Sequence, residues 1–507
     1  MLPTWLYPMS KPEEKPPVNK SRRNFIAAAG GVAVIAALGG GYYYLTSQAP
    51  TPPTGTTKTE TEVKPTATEV KPTATKPKPK LRYLGFPFFL PQDGIAKWKE
   101  LTGQEIEATF AEPYIIGQKQ LENPTAWDFG GSLRHRSLVT KGNLRKMPLD
   151  KVPRWKNDKL ADLFVHPEKY FSAAQAKRFN YLIWADNGES RTDLITVPCI
   201  WNYDSVTYLP EFVPFEEHGG ANTTLSIFEL FNPEWKGRVG MEDEAYAVFT
   251  IVANGLNATG QMDISGAISS MTTAEVDKVF DYLLPIIKSG QMRTFWSAYG
   301  DIVNLLSTKE LYLASTWQPP CFDTRKAGTP AYYSRLVNGP FFWFNSNFIS
   351  TGANPDAVDD CLAVINWTQE QWMQLLYTRQ GYPSPGVGWE DYKSGMGTEF
   401  YDWFFNGTST YLPIGDVMKD IWPDKPDFSN LPERLQNALF TPDVYFRHFW
   451  TGEPARTGSP HPKGNLRDLG SIDDKNKITR YFISPDLPDN NDYYVSKFEG
   501  MKAQIPS

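Results

Sequence analysis

Cysteine is scarce in this chain: Cys199, Cys321 and Cys361 are the three present in 507 residues. At most one pair can close, so the fold cannot rest on a disulfide framework and must be held by its cores. Histidine is equally sparse, and His135, His166, His218, His448 and His461 show no metal-ligand spacing, so no metal site is expected. No Gly-x-Ser-x-Gly elbow and no Cys/His arrangement is present. Adjacent carboxylates such as Asp243 and Glu244 do not form a glycosidase pair, which faces across a cleft at roughly 5 to 9 Å. The reading is of a non-enzyme with no catalytic residues and no cofactor. Basic stripes are lacking too: the net charge of −6 is mild and spread out, which argues against a nucleic-acid partner.

What is present begins with Ser21-Arg22-Arg23-Asn24-Phe25-Ile26, running into an uncharged stretch of 21 residues from Phe25 to Leu45. An arginine pair beside such a stretch looks like a twin-arginine export signal. At about 1.5 Å per residue it is also long enough to cross a hydrocarbon core of about 30 Å. Ser47-Gln48-Ala49 offers a small-x-small cleavage site, but Pro50 follows it directly, so a retained anchor is expected, with cleavage as the alternative. Lys20, Arg22 and Arg23 precede the stretch and place residues 1–20 in the cytoplasm and the bulk on the extracellular face. Residues 21–47 are then signal and membrane anchor. Residues 48–80 are nearly all Pro, Thr, Lys, Ala and Glu, and Thr61-Glu62-Val63-Lys64-Pro65-Thr66-Ala67 recurs as Thr68-Glu69-Val70-Lys71-Pro72-Thr73-Ala74. This composition buries no apolar face and is read as a disordered, extended stalk.

From Leu81 onward the aromatic content and length suit a large globular protein with two lobes. Leu81 to Leu84 and Leu194 to Ile200 read as strands. Gln92 to Leu101, Phe249 to Leu256, Val276 to Ile287 and Ala357 to Tyr377 read as helical. Strands alternating with helices indicate an α/β fold with mixed or parallel sheets, and two such lobes form a natural ligand crevice.

Several segments, in order, resemble the extracellular solute-binding proteins of ABC importers, most closely the spermidine/putrescine-binding branch. They are Leu81-Arg82-Tyr83-Leu84 with the helix ending Leu101-Thr102-Gly103, Trp127-Asp128, Val197-Pro198-Cys199-Ile200-Trp201, Ser226 to Val239, Glu310 to Trp317, and Gly381-Tyr382-Pro383-Ser384-Pro385. Trp98 replaces a Phe of the family pattern and Lys309 a Gly. The resemblance covers residues 81 to about 385. It implies a two-lobed, periplasmic-binding-protein-like (type II) clamp, with 81–203 and 342–385 as lobe 1 and 204–341 as lobe 2. It also implies a monomeric receptor that closes on a small solute and delivers it to a membrane permease. Residues 386–507 run beyond what the family needs, and the aromatic run Phe400 to Phe405 reads as part of a C-terminal extension packed on lobe 2.

The resemblance further implies which residues meet the solute. Trp317 and Trp343 fall at the family's stacking tryptophans and Tyr382 at its closing tyrosine. Asp128 sits at the aromatic-Asp step and Glu244 at a binding carboxylate. Other carboxylate positions are occupied by Phe88, Asn345 and Ala247. A cage of Phe88, Trp317, Trp343 and Tyr246 around Glu244 suits an amine or quaternary ammonium. Asn345 and Gln318 equally suit a sugar or polyol, and Tyr332-Tyr333 raises ferric binding. A cell-surface hydrolase or a sensor module are the readings from other classes.

Overall fold

The computed structural model describes residues 78–407, apart from residues 134, 157–158, 172, 214–223, 265–267 and 339–340, together with 431–432, 435, 438–439, 441 and 488–506. The twin-arginine motif, the apolar stretch and the stalk as far as Pro77 lie outside the described residues. Among those described, no helix is long and apolar enough to cross a membrane.

The sheet begins with β1 (Leu81–Gly85), whose Leu81, Tyr83 and Leu84 are fully buried. A short run buried on both faces is what a parallel strand under helices requires. β2 (Ile106–Phe110) and β3 (Phe129–Ser132) flank it, both parallel to it. Helix α1 (Gln92–Thr102) links β1 to β2 and stops where Gly103, at φ 71°, returns its N–H to the Lys99 carbonyl, a left-handed cap that glycine adopts without strain. Helix α2 (Pro113–Glu122) follows β2, with proline in its first turn.

β4 (Val197–Tyr208) is longer than its sequence suggests: the strand expected to end at Ile200 continues for eight more residues. It is antiparallel to two different partners along its length. Val197 to Asp204 pairs with β9 (Phe341–Ile349), which also pairs with β3, and Ser205 to Tyr208 pairs with β7 (Leu313–Thr316). Beyond β7 lie β5 (Val239–Glu242) and β6 (Met292–Trp296), all three parallel, while β8 (Tyr332–Tyr333) also pairs with β4. The result is one nine-stranded mixed sheet in the order β2-β1-β3-β9-β4-β7-β5-β6, with β8 on a branch. Two parallel halves are joined by two long antiparallel strands, and β4 changes partner between Asp204 and Ser205.

Helices α3 (Ala245–Ala258) and α4 (Thr273–Lys288) cover the second half, the latter opened by a reciprocal Thr272/Glu275 capping box. The one or two helices expected at Ala357 to Tyr377 are two, Val358–Trp367 and Gln371–Arg379. All three cysteines are buried and free, so no disulfide holds the described chain. Residues 386–407 pack beside Gln371–Arg379, where Arg154 pairs with Asp391 at 2.5 Å and Glu370 at 2.8 Å, and the Gly388 N–H meets the Lys159 carbonyl. The last helix, Asn491–Lys502, packs instead on α3 and α4.

Candidate functional site

Parallel strands point their carboxyl ends the same way, and the loops leaving those ends build the site in open α/β sheets. Here both halves do so toward one cavity. After β1 come Phe86 and Phe89; after β2, Glu112 and Pro113; after β3, Leu133. From the other half, β5 ends in Glu242 and continues through Asp243 and Glu244 to Ala247, β6 leads to Ser297, and β7 to Trp317. The crossing strands contribute Asp204 and Trp343, and Tyr382 closes the ring. The space between them is about 720 Å³, partly open to solvent.

Aromatic groups form a continuous wall. Phe86 meets Trp317 edge-on at 5.7 Å, and Phe88 meets Tyr299 at 5.1 Å, so rings from the two halves touch across the cleft. Tyr299 stacks on Trp317 at 6.0 Å, and Trp343 meets Tyr382 edge-on at 5.1 Å. Tyr382 is held in place from behind: Gly381 adopts φ +89° where a Cβ would strike Phe322 and Gln318, and Trp201 donates its indole N–H to the Ser384 carbonyl at 3.0 Å.

Charge in the lining is of one sign. Glu112, Asp204, Glu242, Asp243 and Glu244 contribute five carboxylates, with no lysine or arginine among the described lining residues. Two are oriented by the tryptophans, since Trp343 Nε1 donates to Asp204 at 2.7 Å and Trp317 Nε1 to Glu242 at 3.3 Å. Glu244 caps α3, accepting from the Ala247 N–H at 3.0 Å. Asp243 pairs with Lys502 at 2.6 Å. Burial pushes the Glu112 carboxyl above its ordinary value, because desolvation penalises the charged form. Helix N-termini ordinarily attract anions. Here those of α2 and α3 are fronted by Glu112 and by Glu242-Asp243-Glu244, which reverses the local preference toward cations.

The sequence-expected residues divide. Glu244, Trp317, Trp343 and Tyr382 come together in the lining. Phe88 lies behind it, 93% buried against Phe86, Tyr299 and Tyr382. Asp128, Tyr246 and Asn345 do not reach the cavity. Asp128 is fully buried and takes both Arg82 Nη2 at 2.6 Å and Nε at 3.0 Å, plus the Arg82 and Asn354 backbone N–H groups. Burial presses its pKa up, yet these hydrogen bonds and the guanidinium bring it below the ordinary value. Tyr246 is turned under the C-terminal helix, 6.1 Å from Tyr494. Asn345 donates to Cys199 Sγ inside the core, where burial raises the thiol to about 12.

The alternatives lose their residues in the same way. Gln318, invoked with Asn345 for a sugar, is buried and accepts from Asn202 at 2.9 Å. Tyr333, invoked for iron, donates its hydroxyl to the Tyr203 and Thr316 carbonyls, and burial holds its pKa far above the ordinary value, which disfavours a tyrosinate ligand. Sequence reading missed Phe86, Phe89, Glu112 and Asp204 as site residues. The first three stand within four residues of a strand's end, a readable signal; Asp204 was hidden by the underestimated length of β4.

No family model matches the sequence, and no curated protein matches it. Solved structures do. A Listeria monocytogenes protein described as a spermidine/putrescine ABC transporter is similar at TM-score 0.52 and 14% identity, covering 83% of this chain and 98% of its own. The Tp0655 (TpPotD) lipoprotein of Treponema pallidum is similar at TM-score 0.51 and 10% identity, covering 84% of this chain and 100% of its own. At such identities the likeness establishes the fold: the chain has the two-lobed, periplasmic-binding-protein-like α/β architecture that its sequence motifs resemble.

Proposed function

We propose that this chain is an extracellular solute-binding receptor of an ABC importer that captures a small organic amine cation between its two lobes and presents it to a membrane permease. Lobe 1 would comprise residues 81–203 with 342–385 and lobe 2 residues 204–341, hinged on β4 and β9. The observation that carries the reading is the cavity lining: five carboxylates beside Phe86, Trp317, Trp343 and Tyr382, with no described lysine or arginine in the wall. A desolvated ammonium needs carboxylate partners, and its carbon skeleton or methyl groups need aromatic faces. The fold supports a trap that works by closure, with binding free energy shifting an open–closed equilibrium and no bond made or broken.

The twin-arginine motif and the apolar stretch after it support export and retention on the extracellular face of the cytoplasmic membrane. Titration calorimetry of the full chain against tetramethylammonium, putrescine, spermidine, maltose and ferric citrate tests the ligand class. Saturable heat from at least one amine and none from maltose or ferric citrate is the expected result. Heat from maltose alone, or from no probe, overturns it.

A further inference from the structure

The C-terminal helix (Asn491–Lys502) ends beside the cleft. It is seated by Tyr494, Phe498 and Met501, all essentially fully buried, with Phe498 against Phe249 and Phe295. Polar contacts fix it as well: Lys497 and the Tyr493 hydroxyl both reach Asp277 Oδ1, and Asn490 donates to the Met271 carbonyl. The helix is thus anchored without help from its last residue. That residue, Lys502, holds Nζ 2.6 Å from Asp243 Oδ1 and 2.8 Å from Glu499 Oε1, with its side chain 21% exposed and that of Asp243 28%.

We infer that Lys502, delivered by the C-terminal helix to the cavity carboxylate Asp243, is a specificity-determining residue that sets the charge of the site and favours singly charged amines over polyamines. The inference rests on the reading of the cleft as a cation site. A ligand with two or three ammonium groups draws on the whole acidic run Glu242-Asp243-Glu244, and its affinity falls when one member already holds a tethered internal cation. A singly charged ligand needs fewer of them. The internal cation competes at the high effective concentration of a group fixed on the same molecule, and the partial burial of the pair limits its screening by salt.

The test is calorimetry on the full chain with tetramethylammonium, putrescine and spermidine. Lys502→Met is expected to raise spermidine affinity about tenfold, equivalent to about 1.4 kcal/mol, and tetramethylammonium affinity by less than about threefold. Lys502→Arg, which keeps the charge, is expected to preserve the unaltered ratios. Asp243→Asn added to Lys502→Met is expected to cancel the gain, a coupling that loss of helix packing would not produce. If spermidine affinity falls or does not move relative to tetramethylammonium in Lys502→Met, this inference is overturned while amine binding stands. If no amine binds the unaltered chain or the Lys502→Met variant, the amine reading and this inference fall together.

Discussion

The two halves of the sheet end their parallel strands at the same cavity and deliver different chemistry to it. The first half, through the loops after β1, β2 and β3, gives Phe86, Phe89 and Leu133 with a single carboxylate, Glu112. The second half, through β5 and β7, gives Glu242, Asp243 and Glu244 with a single indole, Trp317. One rim supplies surface and the other supplies charge. In the proposed receptor, affinity for an apolar skeleton and discrimination by charge would sit on opposite sides of the hinge, and both would act on the solute only when the rims meet.

The first half does own another carboxylate, and the contrast is sharpest there. Asp128 is locked by Arg82 and Asn354 and faces no cavity. Asp128→Ala should therefore leave amine affinity intact while lowering stability by about 2 to 3 kcal/mol, below the range for a fully buried pair because Arg82 is 37% exposed. Calorimetry measures the first and urea unfolding the second. The depressed carboxyl adds stability that is complete above its unfolded value and lost as pH falls through its folded one, so the variant should show a shallower acid limb. A large loss of binding would mean that the halves do not divide their work as described.

Asp204 lies at the boundary, where β4 changes partners, and accepts from Trp343. Asp204→Asn keeps the shape and removes the charge, and should weaken a bound ammonium by about 2 kcal/mol, close to thirtyfold. Trp317→Ala removes the wall that spans to Phe86 and should cost about 1 to 2 kcal/mol for quaternary ammonium probes. It should cost less for ammonium itself, which has no methyl groups to cover. Equal losses for both probes would show that Trp317 serves packing only.

The fold was legible because its signals are local: short apolar runs, apolar residues at helical spacing, and Thr102-Gly103 at the end of the first helix. Of the residues expected to meet the solute, Trp317, Trp343, Tyr382 and Glu244 line the cavity; Trp317 directly follows β7 and Glu244 directly precedes α3. Tyr246 was misplaced because its partner, Tyr494, lies far downstream on a helix that no periodicity connects to α3. Asn345 was expected at the cavity with Trp343, which lies two residues before it on the same face of β9, but at Asn345 the strand has passed into the core, where the amide donates to Cys199 Sγ. The acidic character was underread for a similar reason. Asp204 and Glu112 reach the cavity through strand length and strand order, which are properties of the assembled sheet.

Glu112 offers the smallest effect and the finest test of the division between rims. Among the described residues none gives its side chain a hydrogen bond or counter-charge, and burial alone holds its carboxyl above the ordinary value. A raised carboxyl means that the folded, empty protein binds this proton more tightly than the unfolded chain does. Stability therefore declines as pH rises from the ordinary carboxylate range through the raised value, and the cost is full above it. Glu112→Gln should lift the melting midpoint by about 1 °C at pH 7 and leave it unchanged at pH 4. Binding carries the opposite sign, because an ammonium in the cleft needs the carboxylate charged. Amine affinity should fall as pH drops through the raised value, and amine binding near that pH should release a proton, visible as a dependence of calorimetric heat on the buffer's ionisation enthalpy. In Glu112→Gln the release should vanish and affinity at pH 7 should drop by about fivefold, or 1 kcal/mol, as for a partly exposed pair. An unchanged proton release would place the titrating group on the other rim and return the first half to the role of apolar surface alone.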